Sequence, residues 1–254
     1  MIDLHCHILP GVDDGAQSLS DSLNMARKAV EQGIHTIVAT PHHLNNSYDN
    51  PKRQILDRVE ELNQLLREED IDVKILPGQE VRVYGEILEG YVAGEILPVN
   101  HTPYVLVEFP SNHVPRYTEK LFYELQMKGL IPVIVHPERN REIIERSDIL
   151  YQLVKKGALT QITAASVCGD FGKKIKNFSL QLIEANLTHF IASDAHNIVN
   201  RTFKMREAFD LIEKKYGNEM VYYISENAAL VIEGKHVYKE DPERIKRKKL
   251  FKLF

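Results

Sequence analysis

The sequence predicts an α/β fold whose parallel strands close, or nearly close, into a barrel. Two observations carry this expectation. Seven short apolar runs alternate with longer amphipathic stretches, the pattern of strands joined by right-handed helical crossovers. At 254 residues, 43% hydrophobic and 27% charged, the chain has the size and composition of one large α/β domain. No repeat, low-complexity tract or Pro/Gly/Ser linker divides it.

Met1–Cys6 is the first strand, followed by Leu19, Leu23, Ala26 and Val30 at helical spacing, with Gly33 as a stop. Thr36–Thr40 is the second strand. Pro51 opens a helix carried by Ile55, Val59, Leu62 and Leu66. Strands Val73–Glu80 and Tyr104–Glu108 come next, then a helix over Thr118–Lys128. Strand Ile131–His136 precedes a helix over Ile149–Lys156, and strand Leu159–Thr163 precedes one over Lys173–Ala185. After strand Phe190–Ser193 come helices over Phe203–Lys215 and Glu219–Ile232. Residues 1–238 thus form one domain and 239–254 a basic C-terminal tail or helix. From Asp241 the tail reads DPERIKRKKLFKLF, a solvated or frayed terminus. Its sharper alternative is contact with an acidic partner or an anionic membrane surface.

The net charge of −4 argues against a sequence-independent nucleic-acid binder. No apolar run is long enough to span a bilayer, and the first residues lack the basic region and apolar core of a signal peptide. A cytoplasmic protein is expected. Two cysteines, Cys6 and Cys168, fit a reducing compartment.

His, Asp and Glu residues fall at the strand ends. In His5-Cys6-His7, residues two apart on a strand point to one face, which makes half of a transition-metal site. The later strands end in Thr40-Pro41-His42-His43, Gln79-Glu80, Glu108, His136-Pro137 and Ser193-Asp194-Ala195-His196. The carboxyl ends of barrel strands share the face that hosts active sites, so these residues converge on a shared metal site. The loop Gly11-Val12-Asp13-Asp14-Gly15 brings a further carboxylate, and the residues alone do not choose between Asp13 and Asp14. His43 reads equally as a support for its neighbour or as plain packing, and His35, His101, His113, His189 and His236 as structural.

HCH, GVDDG, TPHH, GQE, VEF, HPERN and SDAHN together resemble the polymerase-and-histidinol-phosphatase (PHP) superfamily. More narrowly, they resemble the capsule/exopolysaccharide tyrosine phosphatases of Gram-positive bacteria, the CpsB/YwqE type. The resemblance covers almost the whole chain. It implies a distorted seven-stranded, TIM-like barrel with three metal ions, manganese favoured over iron or zinc. By the same resemblance His5, His7, Glu80 and Asp194 hold the first metal, and Glu80 bridges to a second held also by Glu108 and His136. Asp14, favoured over Asp13, joins His42 and His196 on the third. Arg139 and Arg201 are assigned to substrate phosphate, and the substrate to phosphotyrosine on the tyrosine-rich tail of a bacterial tyrosine kinase.

The chemistry of the residues agrees with this. Five imidazoles and four carboxylates without thiolate suit Mn, Fe or Zn. Three divalent ions against four carboxylates leave a core of about +2, to which the arginines add bidentate phosphate donors. The expected reaction is phosphomonoester hydrolysis by a metal-bridging hydroxide, with the third metal and the arginines stabilising phosphoryl charge. His196, His42 or bound water is the candidate proton donor to the leaving group. A cysteine phosphatase loop needs an Arg six positions after its Cys, and those positions hold Val12 and Lys174. Three other readings compete: a PHP phosphoesterase acting on a small metabolite such as histidinol phosphate, an amidohydrolase-like hydrolase, and a non-catalytic docking protein. The second lacks a candidate for the bridging lysine of its family.

Overall fold

In the computed structural model, residues 1–246 are described. Among them are nine strands, every pair parallel, in two sheets. β1 (Ile2–Cys6), β2 (Thr36–Ala39) and β4 (Lys74–Pro77) form one sheet in the order β1-β2-β4. The other runs β3 (His42–His43), β5 (Glu80–Arg82), β6 (Tyr104–Glu108), β7 (Ile131–Val135), β8 (Leu159–Thr163), β9 (Phe190–Ala192).

Where the sequence reads as seven strands, two are each broken in two. The strand from Thr36 stops at Ala39 and resumes at His42, across Thr40-Pro41; proline has no N–H for a ladder. The strand from Lys74 stops at Pro77 and resumes at Glu80, across Gly78-Gln79. A Cβ at Gly78 would meet Val38 Cγ1 at 2.6 Å, so this break also packs the backbone hard against β2. The detached halves pair with each other, His42 opposite Glu80 and His43 opposite Val81. Both breaks thereby carry their polar ends into the larger sheet.

The two sheets meet between β1 and β9. Cys6 and Ala195 form an isolated bridge, His7 N donates to Ala195 O at 2.9 Å and Asp194 N to His5 O at 2.8 Å. Below them the buried Asp3 carboxylate accepts from Ser193 N at 2.8 Å and from the Ser193 hydroxyl. A side chain here replaces the missing ladder.

Helices α1 (Leu19–Glu31), α2 (Lys52–Glu68), α4 (Thr118–Met127), α6 (Asp148–Lys155), α8 (Lys173–Glu184), α9 (Met205–Tyr216) and α10 (Asn218–Ile232) lie within a residue or two of the expected stretches. Three more, α3 (Ile87–Ala93), α5 (Arg141–Glu145) and α7 (Ala164–Cys168), are too short to show a 3.6-residue period. Two apolar clusters result. Leu4, Val38, Leu76, Leu106, Val133, Leu159 and Phe190 fill an inner one with α10 residues Ala228 and Val231. The other joins strand residues such as Cys6, Ile37, Ile75, Val107 and Ile134 to the helices. Leu4 and Cys6, two residues apart, fall in different clusters, a reversal allowed by the register shift between Asp3 and Cys6.

The first part of the expected tail is fastened to the body without forming a helix. Asn186 Nδ2 donates to Asp241 O at 3.0 Å and Glu243 N to Ala185 O at 2.8 Å. Arg244 pairs with Asp148 and stands over the Tyr151 ring at 4.5 Å. Residues 247–254, where most of the basic charge and the expected acidic-partner or membrane contact fall, lie outside the described residues. No described helix is long and apolar enough to cross a membrane.

Candidate metal centre

All nine residues singled out as ligands converge at the carboxyl ends of the strands. His5 and His7 turn their Nε2 atoms to within 3.2 Å of each other. Glu80 Oε2 lies 3.4 Å from His5 Nε2 and 3.3 Å from His7 Nε2, and Asp194 Oδ1 lies 3.5 and 3.4 Å from the same two atoms. Both imidazoles thus lie 3.2–3.5 Å from each other and from one oxygen of each carboxylate, spacings at which neighbouring donors can share one divalent ion.

His42 presents one nitrogen to each of two further groups. Its Nε2 lies 3.4 Å from Asp14 Oδ1, which is also 3.4 Å from His196 Nε2. With His7 these residues form one potential metal group, and His42, Glu80 and Glu108 form another. His136 stands beside the second, with Nε2 2.8 Å from Glu80 Oε1. His42 Nδ1 and Glu80 Oε2 are 2.8 Å apart yet neither makes a hydrogen bond, and Glu108 Oε2 and His196 Nε2 also lack one. Buried polar atoms in this state need another partner, which a cation would supply. This donor set therefore fits divalent metal.

The electrostatics agree. Burial and the neighbouring Glu80 push the Glu108 carboxyl up to about 7, against Arg82. Burial, with Arg139 adding to it, pushes His136 down to about 4, which leaves it a neutral imidazole able to ligate. Burial likewise pushes His196 down to about 4, helped by His7. Two of the centre's residues sit in left-handed backbone, His136 at φ 36° and Asp194 at φ 51°. Such strain costs roughly 1–3 kcal/mol and collects at functional sites. Here His136 N donates to Gln161 O at 2.7 Å and Asp194 N to His5 O at 2.8 Å, so neighbouring strands hold both residues.

The structure separates Asp13 from Asp14. Asp14 faces His42 and His196, whereas Asp13 is buried behind the centre. Asp13 Oδ2 lies 2.7 Å from His7 Nδ1 and accepts from His42 N at 3.1 Å, and Oδ1 accepts from Gly15 N at 2.9 Å. Gly15 makes this approach possible, because a Cβ there would meet His7 O at 2.1 Å. Gln161 does the same for His5, with Oε1 2.9 Å from Nδ1. The sequence reading did not identify Gln161; its inward place on β8 was the available signal. Such partners fix ring orientation and ligand basicity. Asp13→Ala is therefore expected to weaken metal affinity about 10- to 100-fold in titrations against a competing chelator. Unchanged affinity would remove its orienting role. His43 turns away from the centre, with Nδ1 3.1 Å from Asp49 Oδ1.

Arg139 Nη2 lies 2.7 Å from Asp194 Oδ2. Arg201 reaches the same oxygen at 3.3 Å and Asp14 Oδ2 at 3.4 Å. Both also line a cavity of about 250 Å³ with His42, Glu108, Phe109 and His136. The cysteines stand apart. Cys6 is fully buried in the outer cluster, and burial pushes the Cys168 thiol up to about 11, too high for a thiolate at neutral pH.

The family described as "Capsular polysaccharide synthesis, CpsB/CapC" matches residues 1–233. Tyrosine-protein phosphatase YwqE of Bacillus subtilis (strain 168) is 53% identical over 254 residues, all of both chains. Putative tyrosine-protein phosphatase CapC of Staphylococcus aureus is 43% identical over 255 aligned positions, again all of both chains. A crystal structure from work on B. subtilis YwqE and Streptococcus pneumoniae CpsB, described as unique metal-dependent tyrosine phosphatases, superimposes with a TM-score of 0.95. It is 53% identical and covers 97% of this chain and 100% of that one.

Proposed function

This chain belongs to the CpsB/CapC capsular polysaccharide synthesis family, and on that footing we propose that it is a metal-dependent protein-tyrosine phosphatase. The observation that carries the reading is the joining of a cage of imidazole and carboxylate donors to a cavity lined by two arginines. His5, His7, Glu80 and Asp194 would hold one ion, Glu80, Glu108 and His136 a second, and Asp14, His42 and His196 a third, with manganese the favoured metal. Asp13 and Gln161 set the faces that His7 and His5 present. Bound divalent ions supply Lewis acidity and an acidified water as nucleophile. Arg139 and Arg201 bind and orient the phosphoryl oxygens. Of the candidates His196, His42 and bound water for protonating the leaving phenolate, bound water is favoured, because both His42 nitrogens and His196 Nε2 face the metal donor groups.

The two sheets act as one distorted seven-stranded barrel sealed at the Cys6–Ala195 bridge. The substrate is phosphotyrosine on the tyrosine-rich tail of a bacterial tyrosine kinase in the cytoplasm. Side-by-side turnover of phosphotyrosine, phosphoserine and histidinol phosphate by manganese-loaded protein tests the reading. Phosphotyrosine is expected to win, EDTA to abolish turnover, and Cys6→Ser and Cys168→Ser to retain most of it. Preference for histidinol phosphate would replace the substrate assignment, and a dead Cys168→Ser protein with full metal would overturn the mechanism.

A further inference from the structure

Two loops beside the candidate centre display apolar side chains to solvent, and a single asparagine side chain gathers several backbone amides in each. The first runs between His196 and Arg201. Its base is closed by Arg201 O, which accepts from His196 N at 2.8 Å and Asn197 N at 3.1 Å. Its amides are gathered by one side chain: Asn197 Oδ1 accepts from Val199 N, Asn200 N and Arg201 N at 2.9, 2.9 and 3.2 Å. At its tip Ile198 is 45% and Val199 82% exposed. The second loop follows His42-His43. Asn45 Oδ1 accepts from Ser47 N at 3.2 Å and Tyr48 N at 2.9 Å. Leu44, in left-handed backbone at φ 55°, is 37% exposed, and the Tyr48 ring lies almost parallel to His42 at 6.2 Å.

The bases of the two loops meet at one point. His42 and His196 both face Asp14 Oδ1, with ring centroids 6.1 Å apart. Arg201, at the end of the first loop, lines the same cavity as His42. Neither loop needs an exposed aliphatic residue for its own fold, since Asx turns hold both. A left-handed leucine also costs backbone energy that an asparagine or glycine would avoid. Leu44 follows His42 by two residues and Val199 precedes Arg201 by two, and both His42 and Arg201 line this polar cavity; exposed apolar groups so close to it fit a ligand with a charged group to insert and apolar groups beside it.

Resting on the phosphatase reading, we infer that Leu44, Ile198 and Val199 form an apolar rim that grips the side chains flanking phosphotyrosine in the substrate chain. The occupant is a peptide with a phosphotyrosine whose neighbours are aliphatic or aromatic. The phosphate enters the cavity, and the flanking residues cross the rim.

The test compares manganese-loaded full-length protein on free phosphotyrosine, on a phosphopeptide with leucine on both sides of the phosphotyrosine, and on the same peptide with serine there. The native chain is expected to favour the leucine peptide about tenfold in kcat/KM, through KM. Leu44→Ser and the double variant Ile198→Ser/Val199→Ser are expected to remove that preference and to leave free phosphotyrosine within about twofold. Equal turnover of the two peptides by the native chain, or an undiminished preference in both variants, overturns the rim while leaving the phosphatase reading intact. A native chain that hydrolyses none of the three overturns that reading, and the rim with it.

Discussion

Glu80→Ala is expected to lower turnover by about a thousandfold or more and to take metal with it. Glu80 is fully buried, and both of its oxygens face imidazole nitrogens. Oε1 is 2.8 Å from His136 Nε2, while Oε2 is 2.8 Å from His42 Nδ1, 3.3 Å from His7 Nε2 and 3.4 Å from His5 Nε2. Burial pushes its pKa up, but His42, His5 and the hydrogen bond from His136 together pull it well below the usual carboxylate range. It is therefore ionised, and it belongs to two of the three donor groups. Removing it leaves four imidazoles without their shared anion and two ions without a common ligand. Metal analysis of the purified variant is the direct check, with turnover alongside. Glu80→Gln separates charge from shape, since it keeps the volume but offers only one good acceptor. Full three-metal occupancy in Glu80→Ala would contradict the bridging role, whatever its turnover.

The alternation of strands and helices was legible because both periods are long enough to see. Short elements were not: α3, α5 and α7 have five to seven residues each. The breaks at Pro41 and at Pro77-Gly78 were readable in principle, since proline interrupts a ladder. Their consequence was not, because only pairing in space shows that β3 and β5 move to the other sheet. The same division holds at the centre. Side-chain type and strand-end position brought eight of the nine residues into view, since the carboxyl ends of barrel strands share one face, while Asp14 was chosen over Asp13 by the family resemblance alone. The partners behind them are less visible. Asp13 and Asp14 have the same chemistry and are adjacent, so only geometry tells the one that faces His42 and His196 from the one that holds His7. Gln161 is an ordinary strand residue until His5 is found 2.9 Å away. Glu138, fully buried between the neighbours His136-Pro137 and Arg139, hides in the same way. It accepts from Thr163 N at 3.0 Å and Ser166 Oγ at 2.6 Å, and so fixes the turn that carries Arg139.

That fixed turn bears on the second large effect. Arg139→Ala is expected to lower kcat/KM for phosphotyrosine about 100- to 1,000-fold with metal content unchanged. The guanidinium pairs with Asp194 Oδ2 at 2.7 Å and stands 5.5 Å from the centre of the Phe171 ring. One edge is thus held by the protein while the group still lines the cavity, a pre-organised donor for phosphoryl oxygen. Arg201→Ala is expected to cost less, about tenfold. Arg201 is more exposed, 32% against 22% for the side chain, and its contacts to Asp194 and Asp14 are longer, at 3.3 and 3.4 Å. Arg139→Lys separates the two possible roles of Arg139. A lysine keeps the charge opposite Asp194 but loses the planar fork, so a phosphate-binding role predicts that most of the loss persists. Recovery in Arg139→Lys, or metal lost from Arg139→Ala in proportion to activity, would mean that the arginine acts by holding Asp194 in place and leaves phosphate recognition to Arg201.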